Sequence, residues 1–463
     1  MSQPDTAAVG SPEDILRRAA AVPPLSGFPP LDDLLRRFDA VASAHPELIS
    51  SRRAGTSRLG EAIPVYRLTG GQRRHLVVGG VHPNEPIGSW TALHLITQLA
   101  QDPDLRQALN ASWEIVPCVD PDSYRLNEGW FADPTDRSHY ARHFYRPAGD
   151  EQVEWTFPFS HKAAYFDRML PETQALARLI DQTEPELYVP LHNSEMGGVY
   201  YYLSRPVPQL YDLLSRLPGH LGLPLHQGEP EAGNLEVLSP GIYATGDSAQ
   251  AYDWAEDLGL DPHPPGSGGA SSTEYARRFG TLGLIAELPQ WRHHQADDTR
   301  PVAESYADLL TRTGRQLAQL SDVLLSVLSQ AEPYLRLDTP FIRGARSFAA
   351  GIAQSAEASL ARAQQPSSGR LASVAERFGC EDVVRMFRLR YGGMTWRALE
   401  AEVQAGVAAV ELRRLAARMA THFAEWATEA ESLDGAEPIA IADLVGVQYG
   451  AILAGAAHCQ GLL

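Results

Sequence analysis

Two histidines and two glutamates of this sequence follow apolar, strand-like segments, and together they could bind a metal ion and activate water. His82 and Glu85 lie in GGVHPNEP, directly after the segment HLVV. His192 follows ELYVPL, and Glu287 ends LGLIAE. Two imidazoles and one carboxylate form an open zinc site with a position left for water, and a further glutamate can serve as the base.

Each of these residues also has an ordinary structural interpretation. A His-x-x-Glu pair such as His82 and Glu85 is common by chance, and a single His192 could be a buried histidine bonded to a carbonyl. A carboxylate at Glu287 is harder to explain, because burying it at the end of an apolar segment is costly unless it is bound or faces a cleft. The occurrence of all four residues at strand ends favours the metal site.

The elements that must position these residues are predicted from the periodicity of the chain. From Leu31 to about residue 300, strand-like segments alternate with helical ones, which is typical of an α/β sheet with helices on its faces. In open sheets of this kind, ligands bind beyond the carboxyl ends of the strands. The four residues are therefore expected to meet at one edge of the sheet.

Three regions are predicted along the chain. Residues 1–29 are rich in Pro, Ala and Gly and are interpreted as a flexible leader, and residues 30–332 as the catalytic domain. No strand signal follows about residue 290, and leucines at helical spacing begin near Leu310. Residues 333–463 are therefore predicted to form a separate, all-helical appendage of unknown role, with its apolar stripes favouring a homo-oligomer.

Composition excludes several classes of partner. The formal charge is −18, from 39 Lys and Arg against 57 Asp and Glu, which disfavours binding to nucleic acid or to anionic membranes. The three cysteines are scattered and suggest no disulfide framework. The amino-terminal residues lack the basic and apolar regions of a secretory signal, so a cytoplasmic location is expected.

The ordered motifs resemble the zinc carboxypeptidases of the funnelin type. HPNE resembles the first ligand pair of that family, LHNS the third ligand, and GLIAELP the strand that carries the catalytic glutamate. The resemblance implies a mixed eight-stranded sheet flanked by helices and one zinc ion per chain. It also implies that His82, Glu85 and His192 bind zinc, while Glu287 is the general base.

Further roles are implied by the same resemblance. Arg125, in DPDSYRLN, resembles the arginine that polarises the scissile carbonyl, and Tyr243, in GIYATGDS, resembles the mobile tyrosine of the family. Arg142, in HYARHFYRP, is the best match to the arginine that binds the terminal carboxylate, although Ala141 replaces the asparagine expected before it. Arg146 is the alternative for that role.

The implied function is a zinc-dependent metallocarboxypeptidase, which hydrolyses an amide bond next to a C-terminal carboxylate. Its expected substrate is a peptide or an N-acyl amino acid with a free carboxylate. Two alternatives remain open from the sequence. One is a deacylase or amidase for an N-acyl amino acid or peptide-like small molecule, which the sequence of the HPNEP motif favours. The other is a catalytically inactive binding scaffold, against which the intact metal and base residues argue.

Overall fold

The protein was analysed as a computed structural model that describes residues 7–432 and 435–463. Its helices are α1 (Pro12–Ala19), α2 (Leu31–Ala44), α3 (Ile87–Gln101), α4 (Pro103–Leu109), α5 (Pro121–Arg125), α6 (Arg137–His143), α7 (Pro171–Thr183), α8 (Pro208–His220), α9 (Ser248–Asp257), α10 (Ser272–Ala276), α11 (Tyr306–Ala331), α12 (Pro340–Ala363), α13 (Val374–Gln404), α14 (Val410–Glu431) and α15 (Ile441–Gln460).

The strands are β1 (Ile49–Thr56), β2 (Ala62–Leu68), β3 (Arg73–Val78), β4 (Ala111–Val116), β5 (Phe159–His161), β6 (Ala164–Phe166), β7 (Leu187–Pro190), β8 (Tyr200–Leu203), β9 (Val237–Ser239), β10 (Ile242–Ala244), β11 (Leu282–Glu287), β12 (Trp291–Arg292), β13 (Pro301–Ser305), β14 (Leu371–Ser373) and β15 (Glu437–Pro438). Nine of them form the central sheet, in the order β1-β2-β4-β3-β7-β11-β8-β10-β9.

The central sheet is mixed, as predicted, and has one strand more than the eight expected. Strands β4, β3, β7 and β11 run parallel to one another. Strand β2 pairs antiparallel with β4 at one side of this group, and β8 pairs antiparallel with β11 at the other. The parallel strands are buried along nearly their whole length, which fits helices on both faces of the sheet. Their carboxyl ends meet at one edge.

The connection from β3 to α3 requires glycine at two positions, one before His82 and one after it. Gly80 has a φ of +64°, and a Cβ there would lie 2.6 Å from Cys118 Sγ at the end of the neighbouring strand β4. Gly88 lies in the first turn of α3, where a Cβ would lie 2.6 Å from the Cβ of Leu191. Glycine at both positions therefore lets α3 start close against the residue that precedes His192.

The predicted leader, residues 1–29, is structured in the part that the structure describes. Helix α1 begins after Ser11, whose side chain accepts a hydrogen bond from the main-chain nitrogen of Asp14. Ile15 and Leu16 of this helix are buried, and α1 packs against α8 and α15. The Pro- and Ala-rich composition suggested a flexible segment, but these two apolar side chains anchor it to the domain.

The predicted boundary near residue 333 does not separate two cores. Helix α15 is buried along most of its length, as expected for its apolar sequence, and it packs against α3, β7 and β11. The described part of the C-terminal region is helical, as predicted, apart from the short strands β14 and β15, which pair with β13 and β12. Pairings of so few residues leave too short a pattern to recognise in the sequence.

Two smaller expectations concern cysteines and membranes. Cys118, Cys380 and Cys459 are free thiols, which agrees with the absence of a disulfide framework expected from their spacing. Within residues 7–432 and 435–463, no helix combines the length and apolarity needed to cross a bilayer.

Candidate metal centre

Three adjacent parallel strands deliver the predicted metal and base residues to the same edge of the sheet. His82 and Glu85 follow β3, His192 follows β7, and Glu287 is the last residue of β11. Because β7 pairs in parallel with both β3 and β11, their carboxyl ends lie side by side. All four residues line one cavity of about 400 Å³, and all four are buried.

The side chains of His82, Glu85 and His192 converge closely enough to hold one ion. Their ligand atoms all lie within 4.8 Å of one another. The Nδ1 atoms of the two histidines are 3.2 Å apart, and His192 Nδ1 is 3.2 Å from Glu85 Oε2. Two imidazoles and one carboxylate on two neighbouring backbone segments are the donor set and number that an open zinc site requires.

Hydrogen bonds from neighbouring residues fix these ligands. The main-chain nitrogen of Asn193 donates to Glu85 Oε2 at 3.2 Å, which joins the two ligand segments directly. Gln448, on α15, donates from Nε2 to the main-chain oxygen of His192 at 2.9 Å. Contacts of this kind orient the ligands and hold the site in place when the ion exchanges.

Glu287 is placed beside the ligands. Its Oε1 lies 3.7 Å from His192 Nδ1. Burial, together with the negative charge of Glu231, holds the pKa of Glu287 well above its ordinary value. For Glu85, burial opposes ionisation, but the neighbouring His82, His192 and Arg146 hold the pKa of this carboxyl well below its ordinary value. The two strand-end glutamates therefore have opposite electrostatic surroundings, which is typical of a pair with different chemical roles.

Arg146 is the arginine that enters this cavity beside the metal residues. Its Nη1 donates to Glu85 Oε1 at 3.1 Å, and its Nε donates to Gln152 Oε1 at 2.9 Å. Its side chain is largely buried. A guanidinium held in this way presents a fixed positive charge to an anionic group of a substrate.

Arg125 corrects the sequence prediction. It is the last residue of α5, and its guanidinium pairs with Glu61 at 2.9 Å and with Asp32 at 2.7 Å, both on the outer side of the domain. These two carboxylates, which precede Arg125 by many residues in the chain, draw the side chain away from the cavity. The resemblance of DPDSYRLN to the family motif predicted where this backbone segment lies, but it did not predict the direction of the Arg125 side chain.

Arg142 also lies elsewhere. It is exposed near the end of α6, where its guanidinium lies 5.6 Å from the centre of the Phe423 ring on α14. Packing of α6 against the C-terminal helices turns this residue outward, and the next arginine, Arg146, enters the cavity in its place. The missing asparagine at Ala141 was the sequence signal for this change.

Tyr243 lies close to the predicted site but lines an adjoining cavity rather than the one that contains the metal residues. Its ring packs against the rings of Tyr200 and Tyr202, at centroid distances of 6.2 Å and 5.9 Å. Burial raises the pKa of its hydroxyl to about 12. The structure therefore places Tyr243 in an aromatic wall of the adjoining cavity, and its role as a mobile tyrosine stays a prediction.

A buried ionic network was missed by sequence reasoning. Glu195, three residues after His192, pairs with Arg137 at 2.6 Å and with Arg390 at 2.7 Å. Arg137 also pairs with Asp382 at 3.0 Å. Arg390 and Asp382 belong to α13, so the C-terminal region reaches the ligand segment. The sequence carried no signal for these contacts, since Arg137 and Asp382, for example, are 245 positions apart.

Glu154 is a second carboxyl that the sequence did not single out. It lines the same cavity, is buried, and accepts a hydrogen bond of 2.8 Å from Ser272 Oγ. Burial raises the pKa of Glu154 to about 7. Ser272 in turn accepts a hydrogen bond from the hydroxyl of Tyr188 at 2.8 Å, so Glu154 is held by a chain of buried hydrogen bonds.

Comparison with solved structures gives low overall similarity. A candidate metallopeptidase from Shewanella amazonensis aligns with 16% identity and a TM-score of 0.40, over 56% of this chain and 84% of that chain. Carboxypeptidase A from Helicoverpa armigera aligns with 14% identity and a TM-score of 0.36, over 76% of this chain and 79% of that chain. Bovine thrombin-activatable fibrinolysis inhibitor aligns with 13% identity and a TM-score of 0.34, over 56% of this chain and 86% of that chain.

No curated protein matches the chain significantly. The sequence model of the family described as zinc carboxypeptidase does match, over residues 34–217. This segment contains His82, Glu85 and His192, the three residues that the structure gathers into one cluster. Zinc is the metal of that family, and the cluster fits it. The resemblance inferred from the motifs is thus confirmed: residues 34–217 match the sequence model of the zinc carboxypeptidase family.

Proposed function

We propose that this protein is a zinc-dependent hydrolase that cleaves an amide bond next to a C-terminal carboxylate. The observation that carries the proposal is the convergence of the ligand cluster of His82, Glu85 and His192 with Glu287 and Arg146 in one cavity. A ligand cluster, a base and a fixed cation in one buried cavity are the parts that hydrolysis of such an amide requires.

His82, Glu85 and His192 would hold the ion. When bound, zinc supplies a Lewis acid that acidifies a water molecule and polarises a carbonyl oxygen. Glu287 moves the proton: it accepts one from the attacking water and returns it to the nitrogen of the leaving amine. The bond between the carbonyl carbon and the water oxygen forms, and the amide C–N bond breaks. The raised pKa of Glu287 favours the protonated form that the second transfer needs.

Arg146 is proposed to bind the terminal carboxylate of the substrate. A guanidinium offers two parallel N–H donors to a carboxylate, so the pairing fixes orientation as well as charge. The proposal is supported by its place in the lining of the cavity, where it contacts Glu85 and Gln152. Binding there would bring the last amide of the substrate next to the ligand cluster.

The test is a substrate panel with the purified, zinc-loaded protein. Peptides with a free C-terminus, the same peptides with an amidated C-terminus, and N-acyl amino acids are compared. We expect release of the C-terminal residue from substrates with a free carboxylate, loss of that activity with a chelator, and recovery with added zinc. Failure to hydrolyse any member of the panel, or equal rates for the free and amidated peptides, would contradict the proposal.

A further inference from the structure

A second cavity, of about 550 Å³, adjoins the cavity that contains the metal residues. The two are lined in common by Ser194, Glu195, Glu231, Ala232 and Met386. The same side chains face both spaces, so the two cavities border each other at these residues, which form the junction. The combined space lies within the size range of sites for small-molecule ligands, and the larger part of it is the second cavity.

The walls of the second cavity come largely from the C-terminal helices. Leu310 and Leu317 of α11 face it, and they lie two helical turns apart on one stripe. From α13, Phe378, Val383 and Phe387 line it. These side chains are apolar, so the surface they offer favours an apolar group over a charged one.

Three of the acidic residues at the wall of this cavity, Glu195, Glu229 and Asp382, are already paired with arginines. Glu229 accepts hydrogen bonds from Arg362 at 2.5 Å and from the hydroxyl of Tyr306 at 2.6 Å. Asp382 pairs with Arg137 at 3.0 Å. A ligand that entered would not need to supply a counter-charge to these groups, which again favours an apolar occupant.

We propose that the second cavity binds an apolar group on the acyl side of the scissile amide. The inference rests on the proposed function. If Arg146 holds the terminal carboxylate and the ligand cluster faces the amide carbonyl, the acyl side of the substrate must continue past the junction at Met386 into the second cavity. The natural substrate is then an amino acid that carries a large apolar acyl group, and the C-terminal helices form the wall that recognises it.

The same chemistry could come from a fatty acyl chain or from apolar residues that precede the last residue of a peptide. Both sources present an apolar acyl substituent to the cavity. One arm of the test therefore compares N-acetyl and N-dodecanoyl derivatives of one amino acid, and another compares peptides whose penultimate residues are leucine or serine. The arm with the larger preference identifies the source.

The test uses Gly351, which lines the second cavity from α12 and whose added Cβ would meet nothing within 4 Å. Gly351→Trp places a large side chain at the wall of the second cavity, at a position where the new Cβ meets no neighbouring atom. We expect the ratio of kcat/KM for the dodecanoyl substrate to that for the acetyl substrate to fall roughly 50-fold. The new side chain should exclude about three methylenes of the acyl chain, and burial of each methylene is worth about fourfold in kcat/KM. The matched control is Gly219→Trp, at an exposed helical glycine with open space around it.

Two results would overturn the inference. One is an unchanged ratio in Gly351→Trp when its zinc content and thermal unfolding match those of the wild type, and the other is a wild type that prefers the acetyl substrate. Binding separates this inference from the proposed function. If the wild type hydrolyses neither substrate, calorimetry on Glu287→Gln still measures the affinity of the second cavity for the dodecanoyl compound. Adding Gly351→Trp to this variant must then weaken that binding.

Discussion

Gln448 donates a hydrogen bond to the main-chain oxygen of His192, across 2.9 Å and 256 residues of sequence. The donor lies on α15 and the acceptor in the segment that follows β7. Gln448 is almost fully buried, at 1% exposure, so water cannot replace it readily. The position of a metal ligand thus depends on a helix that lies outside the segment matched by the family.

The first prediction concerns this bond. Gln448→Leu removes the donor and leaves the His192 oxygen buried without it, which should cost about 1–3 kcal/mol of stability. Because the same bond positions the ligand, zinc affinity should fall as well. The measurements are the free energy of unfolding and a zinc titration. Gln460→Leu, the same change near the end of α15, is the control; similar zinc affinity in both variants would contradict the prediction.

The second prediction concerns the metal. The wild type should contain close to one zinc per chain, and the double variant His82→Ala, His192→Ala should contain far less, because two of the three ligands are gone. Elemental analysis of both purified proteins gives the result. His220→Ala, at an exposed histidine in the last turn of α8, should retain its zinc. Equal zinc in all three proteins would show that the ion binds elsewhere.

The third prediction separates the two glutamates at the metal centre. Glu85→Gln removes a charged ligand, so zinc content and activity should fall together. Glu287→Gln should keep the zinc and the fold but lower kcat by a factor on the order of 10² to 10⁴, as for a lost general base. Zinc content, inhibitor affinity and kcat are measured for both. Near wild-type activity in Glu287→Gln, or loss of its zinc, would rule out Glu287 as the base.

The fourth prediction concerns the carboxylate of the substrate. Arg146→Ala should raise KM roughly 10- to 100-fold for peptides with a free C-terminus, since charge-assisted hydrogen bonds are worth about 1.5–3 kcal/mol. Amidated peptides should be affected much less. Arg142→Ala, at the exposed position on α6, is the matched control and should behave like the wild type. An equal effect of Arg146→Ala on both kinds of peptide would indicate a purely structural role.

The fifth prediction uses His75, a buried residue of β3 whose ring lies 4.7 Å from that of Trp113. Burial lowers the pKa of His75 from 6.5 to about 4. Between these values the unfolded chain binds a proton that the folded protein does not, so the free energy of unfolding falls as the pH falls. From pH 7 to pH 5 this amounts to about 2 kcal/mol.

The variant His75→Leu lacks this titration. Urea unfolding at the two pH values should therefore show that the wild type loses about 2 kcal/mol more than the variant on acidification. His220→Leu, an exposed histidine, should follow the wild type. A variant that loses as much stability as the wild type would show that His75 is not neutral in the folded protein below pH 6.5.

The residues at strand ends were open to prediction because local sequence decides where a strand ends. An apolar segment followed by glycine, as before His82, or by proline and leucine, as before His192, fixes the position of the next polar residue in the sheet edge. Glu287 ends its own strand. The structure brings these residues together because three neighbouring strands run in parallel, a property that the alternation of strands and helices also predicted.

The direction of long side chains was not open to prediction in the same way. Arg125 and Arg142 are attracted by Glu61, Asp32 and Phe423, which are remote in the sequence. A motif fixes the backbone near an arginine, but its flexible side chain pairs with whatever the tertiary fold brings near.

Contacts from the C-terminal helices were missed for a related reason. Arg390 lies on α13 and Gln448 on α15, and neither helix has an amphipathic pattern that would mark these residues as buried. A polar side chain inside an apolar helix indicates that it has a buried partner but does not identify that partner. Nothing in the helical pattern of α13 or α15 pointed to the segment after His192.

Helix α15 has a consequence for the order of events during synthesis. A ribosome synthesises the chain from its amino end at about 5–20 residues per second, so His82 and His192 emerge long before Gln448 does. Until the last helix is made, β7 and β11 lack the helix that covers them and the His192 segment lacks its buried donor. Productive metal capture is therefore expected only after α15 has been made, and a nascent chain stalled before α15 should bind zinc only weakly although it already contains every proposed ligand.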